Sequence, residues 1–359
     1  MQFSLTCAAL NRRAGVKHFM NRRSFLVLSA ALGAAMADAV EPVAMADAPV
    51  AMADAVEPDR ESLPNRPKVP GTLHLRARRR EERPPGSGKI RVYEEALRWD
   101  VANTAIIIVD MWDTHTCLCA AQRVAAMAPV MNQVVSAARS LGVMIIHAPS
   151  DTMKYYEGTP WRRRMQQAPM APSPIPVRAT DRTPDEARNF PIADGCDDPV
   201  PRRWTGPAPP TTRGNYPWER EHPAIQIVGY DGISDSGQEI YNFCKQEGIT
   251  NIVLMGVHAN ICIMNRAFGC REMTRLGFHV VVARDLVDAM YDPRQRPFVS
   301  HARGTELVVE FIEANWCPSI LGEDLKQVIS GSESPHGESP SAAKDELNKM
   351  RAVAGNATV

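Results

Sequence analysis

Residues 249–270 read "ITNIVLMG" followed without a break by "VHANICIMNRAFGC". The first part is a short β-branched and apolar run closed by Gly256, the pattern of a strand buried on both faces of a parallel sheet. Beyond it Ile263, Ala267, Cys270, Met273 and Leu276 recur at helical spacing and Gly277 supplies a stop, which predicts a helix over 262–276. Cys262 then lies in the first helical turn at the carboxyl edge of the sheet. Unpaired backbone N–H groups and the helix dipole favour an anion there, lower a thiol pKa and supply donors for a developing oxyanion. A buried structural cysteine is the other reading of the same position.

A second stretch bears on that choice. "TAIIIVDMWDTHTC" (104–117) begins as another buried strand and ends at Asp110. Open α/β sheets bind ligands at the carboxyl ends of their strands, so Asp110 and Cys262 face a common edge if the two strands are neighbours. Further buried strands are expected at 143–148, 224–228, 279–283 and 306–311, with helices at 121–141 and 236–247. Strand and helix alternating over this length predict an α/β domain whose parallel sheet is covered on both faces.

With "AIIIVD" ending in Asp110 and "GVHANICI" carrying Cys262, the chain resembles the isochorismatase-like cysteine hydrolases, among them nicotinamidases, carbamoylsarcosine amidases and ureidoacrylate amidohydrolases. The resemblance covers about Trp99 to Trp316. It implies a three-layer sandwich with a six-stranded parallel sheet, Asp110 as proton-transfer residue, Cys262 as nucleophile, a cis peptide at Val257–His258, and oxyanion donors in the N–H groups of His258 and Cys262. Two departures stand out. The family's third catalytic residue is a lysine, and the matching region "HPAIQIVGYDGISDSG" (222–237) has none; Lys154 or a protonated His258 are the candidate replacements. Ala259 and Asn260 stand where the nicotinamidase motif has Thr-Asp.

Trp112, His115, His147, Tyr230 and Asn260 fall near strand ends or motif positions and are taken as substrate-binding candidates. The family resemblance raises a divalent metal, but its D-x-H spacing is missing from "HAPSDTMKYYEG" (147–158) and occurs in "DTH" (113–115) after a different strand. No cofactor is therefore expected, and His115 and His147 read as hydrogen-bonded pocket walls. The expected activity is hydrolysis of a C–N bond in a small amide, carbamoyl or ureido substrate through a Cys262 thioester. A non-catalytic binding relative of the same fold, or an isochorismatase-type hydrolase, are the alternatives.

The 359 residues carry 41 basic and 41 acidic side chains, so no charge bias points to nucleic acid, and 44% hydrophobic content suffices for a full core. "MNRRSFLVLSAALGAAMADA" (20–39) matches a twin-arginine export signal, giving residues 1–39 as signal peptide, export to the periplasm or medium, and no stable membrane span after its removal. Residues 40–95 read as a low-complexity spacer ending in a charged lead-in, "RARRREERPPGSG" (76–88). The hydrolase domain is placed at 96–325, with a Pro-rich insert at about 153–222, and a disordered tail at 326–359. Eight cysteines suggest no small disulfide scaffold, and their pairing stays open, as does assembly into a homo-oligomer.

Overall fold

The computed structural model describes residues 63–180, 192, 194–198 and 216–329. The twin-arginine segment, the repeat that follows it and residues 330–359 lie outside these residues, whereas the start of the expected disordered tail, at 326–329, instead holds a strand, Val328–Ile329, paired with Thr72 and Leu73. The described elements are β1 (Thr72–Glu82), β2 (Ile90–Asp100), β3 (Thr104–Val109), α1 (Leu118–Ser140), β4 (Met144–Ala148), α2 (Met153–Tyr156), α3 (Pro160–Gln166), β5 (Gly232–Ile233), α4 (Gly237–Gln246), β6 (Asn251–Val257), α5 (Cys262–Asn265), α6 (Cys270–Arg275), β7 (His279–Asp288), α7 (His301–Asn315), β8 (Ser319–Ile320) and β9 (Val328–Ile329).

All belong to one α/β sandwich. The sheet runs β2-β1-β8-β7-β6-β3-β4-β5, with β9 on β1. From β8 to β5 every pairing is parallel, and β1 with β2, β8 and β9 is antiparallel. The sheet is thus mixed and nine-stranded rather than a lone six-stranded parallel one, with the six parallel strands as its contiguous core.

Alternation along the central strands assigns the two layers. Ala105, Ile107, Leu254 and Val282 pack with residues of α4, α5, α6 and α7, such as Phe243, Ile263, Met273 and Val308. Ile106, Ile108, Val253 and Val281 point the other way, onto Val124, Met131 and Val135 of α1. Strands hidden on both sides need apolar residues at every position, which is why "TAIIIV" shows no polar alternation.

Four expectations are corrected. The charged lead-in is the antiparallel hairpin β1–β2, so the sheet begins at Thr72 rather than near residue 96. Leu73, Leu75 and Ala77 alternate inward from that strand and join the core beneath α1. Residues 224–228 form no strand, and the short third parallel strand is β5. "ELVVEF" (306–311) lies inside α7, where Gly304, Val308 and Ile312 recur at helical spacing and Ser300 caps by accepting from the Arg303 N–H. The helix expected over 262–276 is two short ones, α5 and α6, separated by an extended Arg266 and by Gly269. The insert also holds regular structure, in α2 and α3.

Candidate active site

Neighbouring strands β3 and β6 pair in register up to Val109 opposite Gly256, so the residues just past them share one edge. Gly256 has φ +116°, and a Cβ there would collide with the Val109 carbonyl. Only glycine allows this approach of the two backbones. Asp110 follows with φ +50°, a left-handed conformation that a short polar side chain tolerates. The Val257–His258 peptide is cis, as the family resemblance implies.

The Asp110 carboxyl is fully buried. One oxygen accepts the Ser150 N–H at 2.7 Å, and the other accepts from Arg266 Nε at 3.3 Å. The Cys262 thiol is the third partner and is hydrogen-bonded to the same carboxyl. Burial pushes the Asp110 pKa above the usual carboxylate range, against the pull of Arg266, Cys262 and Ser150. Burial and then the Asp110 charge push the Cys262 thiol well up, opposed by Arg266 and by the His258 N–H directed at the sulfur. Burial works against the Arg266 charge as well, but Asp110, Cys262 and Asp151 outweigh it and hold the guanidinium above its ordinary value. Burial thus opposes a negative charge on either the thiol or the carboxyl, and the guanidinium beside them favours one. That corrects the expectation of a thiol ionised by its helix: α5 has a single turn and little dipole to offer.

Arg266 supplies a cation beside Asp110 and Cys262, where a lysine was sought. It stands four residues after Cys262, a spacing that places both on one side of a helical turn. The two replacements named from the sequence do not fill this role. Lys154 is exposed. His258 is 2% exposed, and burial and the neighbouring His115 depress its pKa to about 3, so it carries no charge at neutral pH.

Beside His258 stands a stacked aromatic wall. Trp112 and Trp218 stack with centroids 4.1 Å apart, His115 lies 5.3 Å from Trp218, and His258 meets His115 edge-on at 5.0 Å. Trp112 Nε1 donates to the Ser150 carbonyl at 2.9 Å, tying the wall to the loop that holds Asp110. His115 Nδ1 accepts the Cys117 N–H at 3.0 Å, and burial lowers its pKa to about 4. Its proton therefore sits on Nε2. Among the described residues His258 Nε2 and Trp218 Nε1 are buried without a partner.

Trp112, His115 and His258 are thus gathered at the site, and three other candidates do different work. His147 is fully buried between Glu221 (2.7 Å) and Asp231 (3.1 Å); burial opposes its charge, but the two carboxylates raise its pKa to about 9. It is an internal ion-pair residue and not a pocket wall. Asn260 is buried, with its amide on both backbone groups of Met290 and on Asp194 (3.1 Å), so it braces the loop beside Cys262. Tyr230 packs under Arg164 at 5.8 Å rather than against the thiol. Among the described residues no cluster of three or more His, Cys, Asp or Glu side chains is arranged to hold a metal ion.

One covalent feature frames the site. Cys117, two residues beyond His115, is bonded to Cys196 of the insert, and Arg123 reinforces that seam by pairing with Asp197 at 2.7 Å and Asp288 at 2.9 Å.

The isochorismatase domain family matches residues 202–311 of the chain. No curated protein matches it. Among solved structures the chain is similar to a cysteine hydrolase from Pseudomonas syringae pv. phaseolicola 1448A, at 14% identity over 70% of this chain and 95% of that one, TM-score 0.38. It is also similar to a putative isochorismatase from Burkholderia xenovorans LB400, at 12% identity over 70% and 98%, TM-score 0.38. A third is an isochorismatase family protein from Burkholderia thailandensis, at 14% over 63% and 94%, TM-score 0.35.

Proposed function

We propose that the protein, whose residues 202–311 match the isochorismatase domain family, is a cysteine hydrolase that cleaves a C–N bond of a small amide, carbamoyl or ureido substrate through Cys262. The observation that supports this most is the three-way contact of Asp110, Arg266 and Cys262. A binding protein that had shed its chemistry has no need for a buried acid, a cation and a thiol set against one another.

In the proposed reaction the Asp110 carboxylate takes the Cys262 proton and the thiolate attacks the substrate carbonyl carbon. The N–H groups of His258 and Cys262 receive the oxyanion. As the tetrahedral intermediate collapses, the C–N bond breaks and the protonated Asp110 returns the proton to the leaving nitrogen. Water then attacks the thioester with Asp110 again as base, releasing the acid and restoring the thiol. Arg266 compensates whichever of the two groups is ionised. It thereby keeps one negative charge in the buried site balanced throughout the transfer.

The test is a screen of small amides, carbamates and ureido acids with purified wild-type, Asp110→Asn and Cys262→Ala proteins. Both variants are expected to fold and to lose hydrolysis of any substrate the wild type cleaves. Normal turnover by Asp110→Asn would remove the acid from the mechanism. The Arg22–Arg23 pair supports a second, separate proposal, export by the twin-arginine route. Replacing both by lysine should retain precursor in the cytoplasm, and unaltered export of that variant would refute it.

A further inference from the structure

The β1–β2 hairpin carries an open edge. β2 is the terminal strand of the sheet, pairs with β1 over its full length, and has no strand on its other side among the described residues. From Ile90 to Ala96 every residue but the half-buried Tyr93 is exposed, including Ile90 at 52% and Val92 at 50%. A long, flat, exposed edge with apolar side chains is a template for pairing with another strand. Arg91 and Glu95 stand on one face of this edge, and neither makes an ion pair within the described residues.

We propose that this edge is the interface with a second copy of the chain, the two β2 strands running antiparallel about a twofold axis at Tyr93. The charge pattern selects both occupant and register. About Tyr93, each Arg91 faces the Glu95 of the other copy and each Ile90 faces an Ala96, all inside the exposed stretch. The Tyr93 axis sets Val92 opposite Glu94; an axis at Val92 likewise sets Ile90 opposite Glu94 and also faces Arg91 with Tyr93 instead of an acid, and one at Glu94 sets two glutamates opposite each other. An axis at Ala96 also pairs opposite charges, Glu94 with Arg98. It however opposes Val92 to Asp100, runs into the buried Trp99, and draws on Glu94, whose charge already bears on Arg284. Directly facing opposite charges stabilise a strand pair and like charges weaken it.

The experiment is sedimentation of the full-length protein across the micromolar range, with circular dichroism to follow the fold. Wild type is expected to dimerise. Glu95→Arg sets two pairs of arginines face to face and should raise the dissociation constant by about tenfold or more. Combining it with Arg91→Glu restores opposite charges and should recover the dimer, although Glu81, across β1, stays next to the new acid. In Tyr93→Cys the two sulfurs meet at the axis, so mild oxidation should yield a cross-linked dimer in a non-reducing gel. A monomeric wild type, a dimer indifferent to Glu95→Arg, or a double variant that stays dissociated would each overturn the proposal.

Discussion

At the residue scale the proposed chemistry rests on Arg266. Its cation lowers the pKa of both Asp110 and Cys262. Removing it should raise both, so the acid limb of the pH–rate profile moves to higher pH in Arg266→Met and kcat/KM at neutral pH falls roughly a hundredfold. Arg266→Lys should recover part of both losses, because a cation returns without the fork that reaches Asp110 and Asp151 together. An unshifted profile in Arg266→Met would show that its charge is not coupled to the reaction. His258→Gln is the counterpart. With a pKa near 3 its imidazole does not titrate in the working range, so the profile should keep its shape even if KM changes. Asp110, Cys262 and the cis peptide were legible in the sequence because each sits in a motif at a strand end. Arg266 was legible too, by its four-residue spacing from Cys262, but only to a search for any cation on that turn rather than for a lysine after another strand.

At the scale of elements, the His147 cluster ties β4 to the segment that leads into β5. Arg139 of α1 joins it with a bidentate grip on Asp231, both bonds at 2.9 Å. His147 has a folded pKa near 9 against 6.5 for the free side chain. Its contribution is therefore complete below pH 6.5 and is lost as pH rises through 9. Melting temperature should fall across that window in the wild type and stay flatter in His147→Gln, which starts less stable; parallel curves would place the proton elsewhere. The same scale shows why some elements escaped a reading of the sequence. In "TLHLRARRREE" the alternation of Leu73, Leu75 and Ala77 marks a strand, and "RPPGSG" (83–88) marks its turn, yet the density of arginine suggested a solvated linker. Those arginines are used: Arg78 and Arg80 both grip the buried Glu313 of α7, at 2.8 and 2.9 Å. In "ELVVEF" the β-branched pair suggested a strand, whereas the burial of Val308 and Val309 together with Ile312 is the spacing of a helix.

At the scale of the whole molecule, the two-residue β5 and β8 left no mark, but the four longer parallel strands β3, β4, β6 and β7 were legible because strands buried on both faces stand out as unbroken apolar runs. The antiparallel extension was not, since one side of it meets water. Nor was the pairing of Cys117 with Cys196, which joins residues 79 positions apart and is fixed by the folded path of the insert. Closing a loop of that length restricts the unfolded chain by about 4.5 kcal/mol, so Cys196→Ser should be destabilised by that order while Cys119→Ser, which breaks no bond, is not. Equal urea midpoints for Cys196→Ser and wild type would show that the bond does not constrain the chain.

The account as a whole depends on a covalent bond to one sulfur. Mass spectrometry of the enzyme quenched during turnover of the best substrate from the screen tests this directly. An acyl group is predicted on the peptide containing Cys262, released by hydroxylamine and absent from Cys262→Ala, which should also be inactive. Undiminished hydrolysis by a folded Cys262→Ala protein, with no acylated peptide in the wild type, would show that water attacks the substrate directly and would contradict the account.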